Sequence, residues 1–201
     1  MELPRKLLIA TGNPGKLAEF RQLFTPMGVE VMGHRELGIQ DPDETGLSFV
    51  ENALIKARHA SQLSGLPCLA DDSGLCVDAL NGAPGLRSAR FAGEAASSQD
   101  NIDRLLTQLQ DVADQQRGAH FVCVLTLLQR ADDPDPLIAS GRWPGSIAHR
   151  LSGSQGFGYD PIFIPQGDTA SAAELAAEEK NQRSHRALAL ASLIRQLTNS
   201  S

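Results

Sequence analysis

No stretch of this chain approaches the roughly 18 consecutive apolar residues that a membrane helix requires, and its start runs straight into a strand pattern without a signal-peptide signature. Positive charge is in deficit as well: 18 Lys and Arg stand against 24 Asp and Glu, a net charge of -6 with a pI near 5.3. A nucleic-acid backbone as main partner needs a basic face, so that class is disfavoured. A small polyanion is still compatible where local cations or a metal offset the field. Cysteine is sparse, and Cys68, Cys76 and Cys123 lack any C-x-x-C spacing and sit inside apolar runs. Buried free thiols in a reducing compartment account for them, so the expected setting is cytoplasmic. Internal repeats, linkers and low-complexity tracts are missing too. What is present, 201 residues with 41% hydrophobic and 21% charged content, suits one soluble domain (residues 1–201) with a core, or one domain with two lobes.

The densest chemistry lies at Asp71-Asp72-Ser73-Gly74, two acids and a hydroxyl between the apolar runs Pro67–Ala70 and Leu75–Leu80. These residue types predict a tight turn joining two short strands. By itself such a turn is as well explained by solvated side chains. Upstream, Lys6–Ala10 reads as an inner strand, followed by Thr11-Gly12-Asn13-Pro14-Gly15-Lys16 and a helix with Leu17, Phe20, Phe24 and Met27 on one face. Asn13 suits the N-cap and Pro14 the first helical position. Lys16 then opposes the helix dipole, an oddity resolved if a phosphate sits at the helix start with Gly15 allowing close approach. The segment is not a Walker A loop; the alternative is an ordinary capped helix with an exposed lysine.

Val29–Met32 reads as a second strand. Ser48 with Glu51 forms a capping box on a long helix whose buried stripe is traced by Val50, Leu54, Ala57 and Ala60 or Ser61 up to Gly65, leaving Asn52, Lys56 and His59 on a face expected to be wet. The Gly/Pro-rich stretch 81–93, with Arg87 and Arg90, is too long for a plain connector. Ser97 or Ser98 caps a core-facing helix. Phe121–Leu128 and Leu137–Ala139 read as an antiparallel pair, so the sheet is expected to be mixed. Trp143 is read as packing. Gly153–Pro161 presents Phe157 either to a planar base or as a core plug. Ser171 and Glu174 predict a helix running to about Lys180, and Ser184-His185-Arg186 opens a final helix with Ala187, Leu190, Ala191, Ile194 and Leu197 on its apolar face. Cations again occupy a helix start there, which suggests electron-rich ligand atoms at both.

Taken together, Thr11-Gly12-Asn13-x-x-Lys16, Glu44-Thr45-Gly46-x-Ser48-Phe49-x-Glu51-Asn52-Ala53-x-x-Lys56-Ala57, Ala70-Asp71-Asp72-Ser73-Gly74-Leu75, Gly82-Ala83-Pro84-Gly85 with Ser88-Ala89-Arg90, Gly156–Pro161, and Ala173-Glu174-Leu175 with Glu179-Lys180 and Ser184-His185-Arg186 resemble the inosine triphosphate pyrophosphatase family, the house-cleaning XTP/dITP diphosphatases. The resemblance runs from about residue 7 to 197. It implies an α/β fold with a long mixed central sheet flanked by helices, two lobes around a central substrate cleft, a homodimer, and Mg²⁺-dependent hydrolysis of non-standard purine nucleoside triphosphates to monophosphate and pyrophosphate.

The resemblance also implies roles. Thr11, Gly12, Asn13, Pro14, Gly15 and Lys16, with Lys56, hold the triphosphate. Glu44 and Asp72 ligate Mg²⁺, Asp71 is their neighbour, and Asp72 is the catalytic base. Phe157, with Gly158 and Tyr159 in its motif, faces the purine; Asp160, Lys180, His185 and Arg186 surround its edge, and Ser73 lies near the catalytic turn. Donors from His185 and Arg186 suit the 6-oxygen of inosine and xanthosine and leave adenine's amino group facing donors. Two other readings are weighed beside it: a pyrophosphatase for other modified or pyrimidine nucleotides, and a non-catalytic nucleotide-binding module.

Overall fold

The computed structural model describes residues 3–199. Six strands, β1 (Lys6–Ala10), β2 (Glu30–Gly33), β3 (Cys68–Val77), β4 (Gly118–Leu128), β5 (Leu137–Ile147) and β6 (Phe163–Pro165), form one sheet in the order β2-β1-β3-β4-β5-β6. β1 pairs in parallel with β2 and β3, while β5 and β6 are antiparallel, so the sheet is mixed and the fold α/β. Five helices accompany it: α1 (Pro14–Phe24), α2 (Phe49–Ser64), α3 (Ser98–Gln108), α4 (Ala177–Arg183) and α5 (His185–Asn199). The chain divides into two compact units, residues 3–72, Cys123–Gly141 and 186–199 in the first, and Ser73–Val122 with Arg142–His185 in the second.

In the first unit, β1 is an unbroken apolar strand whose Leu7 and Ile9 join Phe20 and Phe24 of α1, Leu125 and Leu127 of β4, and Leu190 and Leu193 of α5. Leu8 and Ala10 pack on the other side with Ala57 and Ala60 of α2. Alternating strand side chains thus serve two apolar layers. The second unit gathers Leu105 and Leu109 of α3 with Phe121, Trp143, Tyr159 and Phe163.

Local signals hold where the chain itself supplies the partner. Asn13 caps α1 with Pro14 at its first position, Ser48 caps α2, Gly65 ends α2 in the left-handed region at φ 70°, and Ser97 caps α3. Several expectations are corrected. Asp71–Gly74 is no turn, because Cys68–Val77 is one ten-residue strand; both carboxylates are buried and need no solvent, as their ion pairs below explain. β5 continues through Gly141–Gly145 rather than stopping near Ala139. Along it Ala139, Gly141 and Trp143 are buried, Ser140, Arg142 and Pro144 exposed, the period of two of a strand. The helix expected from Ser171 starts at Ala177. The segment before it is held to the rest of its unit, with the backbone N–H groups of Ala172 and Ala173 donating to the Phe163 and Asp160 carbonyls at 2.8 and 3.2 Å. The 81–93 stretch contains a six-residue 3-10 helix, Gly85–Arg90. On α5 the buried apolar positions are Ala187, Ala189, Leu190, Leu193 and Leu197, with Ala191 exposed.

Candidate active site

β1 delivers Thr11 to the start of α1. There the Asn13 side-chain oxygen accepts the N–H groups of Gly15 at 2.8 Å and Lys16 at 3.2 Å, and the Thr11 hydroxyl accepts that of Asn13 at 3.2 Å. Lys16 turns its ammonium onto Asp71 Oδ1. Adjacent strand residues point to opposite faces, so Asp71 and Asp72 have different partners. Asp71 Oδ2 accepts the Cys123 thiol at 3.2 Å and lies 3.5 Å from Arg186 Nε, while Arg186 Nη1 is 2.5 Å from Glu19 Oε2. Burial alone would raise the Asp71 carboxyl, but Lys16, Arg186 and Lys56 outweigh it and hold the group well below the ordinary carboxylate range. For Cys123, burial and the Asp71 charge push the thiol far up.

Asp72 Oδ1 accepts Lys56 Nζ at 2.7 Å, and the same ammonium reaches Glu44 Oε1 at 3.1 Å. For Asp72 burial wins over Lys56, and its carboxyl is raised. For Lys56, burial is outweighed by Asp72, Asp71 and Glu44, and the amine is raised. The α2 face read as wet is therefore a polar face buried at Asn52 and Lys56 and half-buried at His59. Asn52 accepts the Gly46 N–H at 2.8 Å and is 1% exposed, Lys56 is 7% exposed, and His59 Nε2 meets the Gln40 carbonyl at 3.0 Å. In this unit three cations, Lys16, Lys56 and Arg186, are interleaved with four carboxylates, Glu19, Glu44, Asp71 and Asp72. The balance is one negative charge, which a divalent ion would invert.

Whether the residues suit Mg²⁺ is answered by their donors. Glu44 and Asp72 already converge on one cation, the Lys56 ammonium, and no group of three or more His, Cys, Asp or Glu suited to a metal exists among the described residues. Mg²⁺ commonly takes one or two carboxylates and completes its shell with water and substrate phosphate, so two carboxylates fit. Asp71 offers less, since both its oxygens are engaged.

In the second unit Asp160 organises the Gly-rich loop. Its Oδ2 accepts the Phe157 N–H and the Lys180 ammonium, both at 2.8 Å. Gly156 has φ 76°, and a Cβ there would run into the Asp160 carboxylate. Lys180 Nζ also lies 5.1 Å from the centre of the half-buried Phe157 ring. Tyr159 is buried and donates its hydroxyl to the Ser88 carbonyl at 3.0 Å; burial raises it beyond use as an acid. His185 is 3% exposed and stacks on Phe121 at 4.8 Å and Trp143 at 6.4 Å. Ser73 is half-buried in β3.

A model of the Ham1 family matches residues 7–196, nearly the whole chain. The protein belongs to the Ham1 family. Among the relatives of this Ham1 chain, a dITP/XTP pyrophosphatase of Yersinia pestis is 54% identical over 186 residues, covering 92% of the chain and 94% of that protein. A dITP/XTP pyrophosphatase of Pectobacterium atrosepticum is 53% identical over 195 residues, covering 97% and 99%. The solved structure of a HAM1 protein from Coxiella burnetii is similar with a TM-score of 0.87 and 45% identity, over 96% of this chain and 98% of that one.

The Ham1 structure brings Lys16 with Asp71, and Glu44 with Lys56 and Asp72, into two sets of ion pairs in one unit, and Phe157, Asp160 and Lys180 together in the other. It separates the neighbours His185 and Arg186: the imidazole joins aromatic rings and the guanidinium joins Glu19 and Asp71. Lys16 of α1 and Arg186 of α5, the cations at the two helix starts, both face the carboxylate of Asp71. Sequence reasoning missed Glu19 and Cys123. Glu19 follows Lys16 by three positions, the spacing of helical neighbours, which could have marked it as part of the same charged face; nothing local marks Cys123.

Proposed function

We propose that this Ham1 chain hydrolyses dITP, ITP and XTP to the nucleoside monophosphate and pyrophosphate, clearing non-standard purines from the nucleotide pool. The observation that carries the reading is the buried Glu44–Lys56–Asp72 arrangement, with Asp72 Oδ1 fixed by Lys56 and Oδ2 without a protein partner among the described residues. The names of close relatives support the substrate class. Glu44 and Asp72 would hold Mg²⁺, which when bound acidifies water and offsets phosphate charge.

The chain's own residues supply the rest. The Thr11–Lys16 loop receives the phosphates, and Lys16 and Lys56 balance the charge that moves to the departing pyrophosphate. Asp72 Oδ2 takes a proton from the water that attacks the α-phosphorus; the O–P bond it forms replaces the bond to the leaving pyrophosphate oxygen. Its burial raises the carboxyl towards the range where a general base works. Phe157 stacks on the purine. His185, Asp160 and Lys180 read its edge, while Arg186, named for that role by the family resemblance, has its guanidinium committed to Glu19 and Asp71. The cytoplasmic homodimer is part of the same proposal. Asp72→Asn tests it: turnover of ITP with Mg²⁺ falls by about 10²–10⁴ while inorganic tripolyphosphate still binds. A variant with more than a tenth of wild-type turnover refutes Asp72 as base.

A further inference from the structure

Every cation so far placed beside the phosphate loop is covered. The side chains of Lys16, Lys56 and Arg186 are 14%, 8% and 3% exposed, and each is matched by buried carboxylates. One guanidinium beside that loop is different. After β2 a short 3-10 turn, His34–Leu37, places Arg35 against Gly12. A Cβ built on Gly12 would lie 2.7 Å from Arg35 Cζ and would also strike the Asp41 carboxylate. Gly12 is not among the glycines with positive φ, so its missing side chain answers to this close approach and not to backbone conformation. Arg35 Nη2 pairs with Asp41 Oδ2, and Asp41 Oδ1 lies 3.1 Å from Nε2 of the buried His34. The Arg35 side chain is nevertheless 62% exposed.

We infer that Arg35 is a further phosphate-binding residue, poised over Thr11-Gly12-Asn13 by Asp41 and closing on the terminal phosphates of the triphosphate. This rests on the reading of Thr11–Lys16 as the triphosphate loop. The chemistry favours the exchange. An exposed Arg–carboxylate pair holds its partner weakly, and a guanidinium fork matches the oxygens of a phosphate bidentately, with more charge to meet than one carboxylate provides. The guanidinium swings from one anion to the other. Gly12 leaves the fork room against the loop backbone.

The test measures binding of inorganic tripolyphosphate with Mg²⁺ by isothermal titration, and KM and kcat for ITP, in the full-length chain. Arg35→Ala is expected to weaken tripolyphosphate binding and raise KM by about tenfold, the effect of one charge-assisted contact, with kcat changed less than twofold. Arg35→Lys recovers part of the loss. Asp41→Asn, which releases the guanidinium, does not weaken binding. If Arg35→Ala binds as wild type while Lys16→Ala binds poorly, Arg35 has no phosphate role although the loop does. If Arg35→Ala and Asp41→Asn lose binding and melting temperature alike, the pair is only a clamp on the loop and the inference falls. If the wild type releases no pyrophosphate and Lys16→Ala leaves tripolyphosphate binding intact, the parent reading fails instead.

Discussion

Replacing Asp71 by Asn removes one charge from the most enclosed point of the first unit. Asp71 is 1% exposed, and its oxygens meet Lys16, Arg186 and Cys123. Asparagine keeps the shape but leaves Lys16 without its carboxylate and Arg186, 3% exposed, with one carboxylate fewer. Removing one partner of a buried ion pair costs about 3–5 kcal/mol. At about 2–4 °C per kcal/mol for a chain of this size, the melting temperature should fall by about 6–20 °C. Asp72→Asn is the internal control. Burial raises the Asp72 carboxyl, so its charge opposes folding, and Lys56 keeps Glu44 when that charge is removed. Asp72→Asn should therefore melt within about 1 kcal/mol of wild type, in either direction, as residues kept for activity at a stability cost do. The pH dependence separates the two further. The lowered Asp71 carboxyl stabilises the fold above the unfolded value near 4 and loses that contribution as pH falls towards the folded value. The gap between wild type and Asp71→Asn should be widest above about pH 5 and narrow in acid. For the raised Asp72 the sign reverses: the cost of its charge is absent below the unfolded value and complete above the folded one. Circular dichroism melts at pH 4 and pH 7 read both. If Asp71→Asn melts within 2 °C of wild type, or if the two variants fall equally, the asymmetry argued for the pair is wrong.

Phe157→Ala should raise KM for ITP by roughly ten- to a hundredfold, the worth of stacking on one ring, and leave inorganic tripolyphosphate binding unchanged; equal losses for both ligands would remove Phe157 from base recognition. Cys68 and Cys123 should resist alkylation by iodoacetamide in the native protein, because burial pushes the Cys68 thiol up to about 12 and burial with the Asp71 charge raises Cys123 well above its ordinary value, while half-buried Cys76 reacts first. Mass mapping of the labelled peptides decides the order, and early labelling of Cys123 would contradict the closed contact with Asp71. Cys123→Ala should lower stability by about 1–3 kcal/mol through the lost donor, and Cys123→Ser, which keeps a donor, should recover part of it.

How much of this was legible in the sequence follows from where each residue finds its partner. Asn13, Ser48, Ser97 and Gly65 act on backbone a few positions away, so their caps could be read directly. The strand through Asp71 and Asp72 could not. Turn propensity describes an unpartnered Asp-Asp-Ser-Gly, whereas here Asp71 meets Cys123 from 52 positions away and Asp72 meets Lys56 from 16. The buried polar face of α2 was hidden for the same reason, since Asn52 and Lys56 are interior only because Gly46, Glu44 and Asp72 satisfy them. Arg186 and Glu19 are 167 positions apart, and the helix-dipole reading, which expected ligand atoms at both helix starts, had no means of placing Asp71 beside them.

The reaction proposed for this chain breaks the bond between the α- and β-phosphates under direction of the purine's 6-oxygen. Purified protein with Mg²⁺ is incubated with ITP, XTP, dITP, GTP, ATP and dTTP, and the products are separated. The account predicts nucleoside monophosphate and pyrophosphate in equal amounts from ITP, dITP and XTP, with ATP and dTTP left intact. Orthophosphate with a nucleoside diphosphate, or equal rates on ATP, would contradict it.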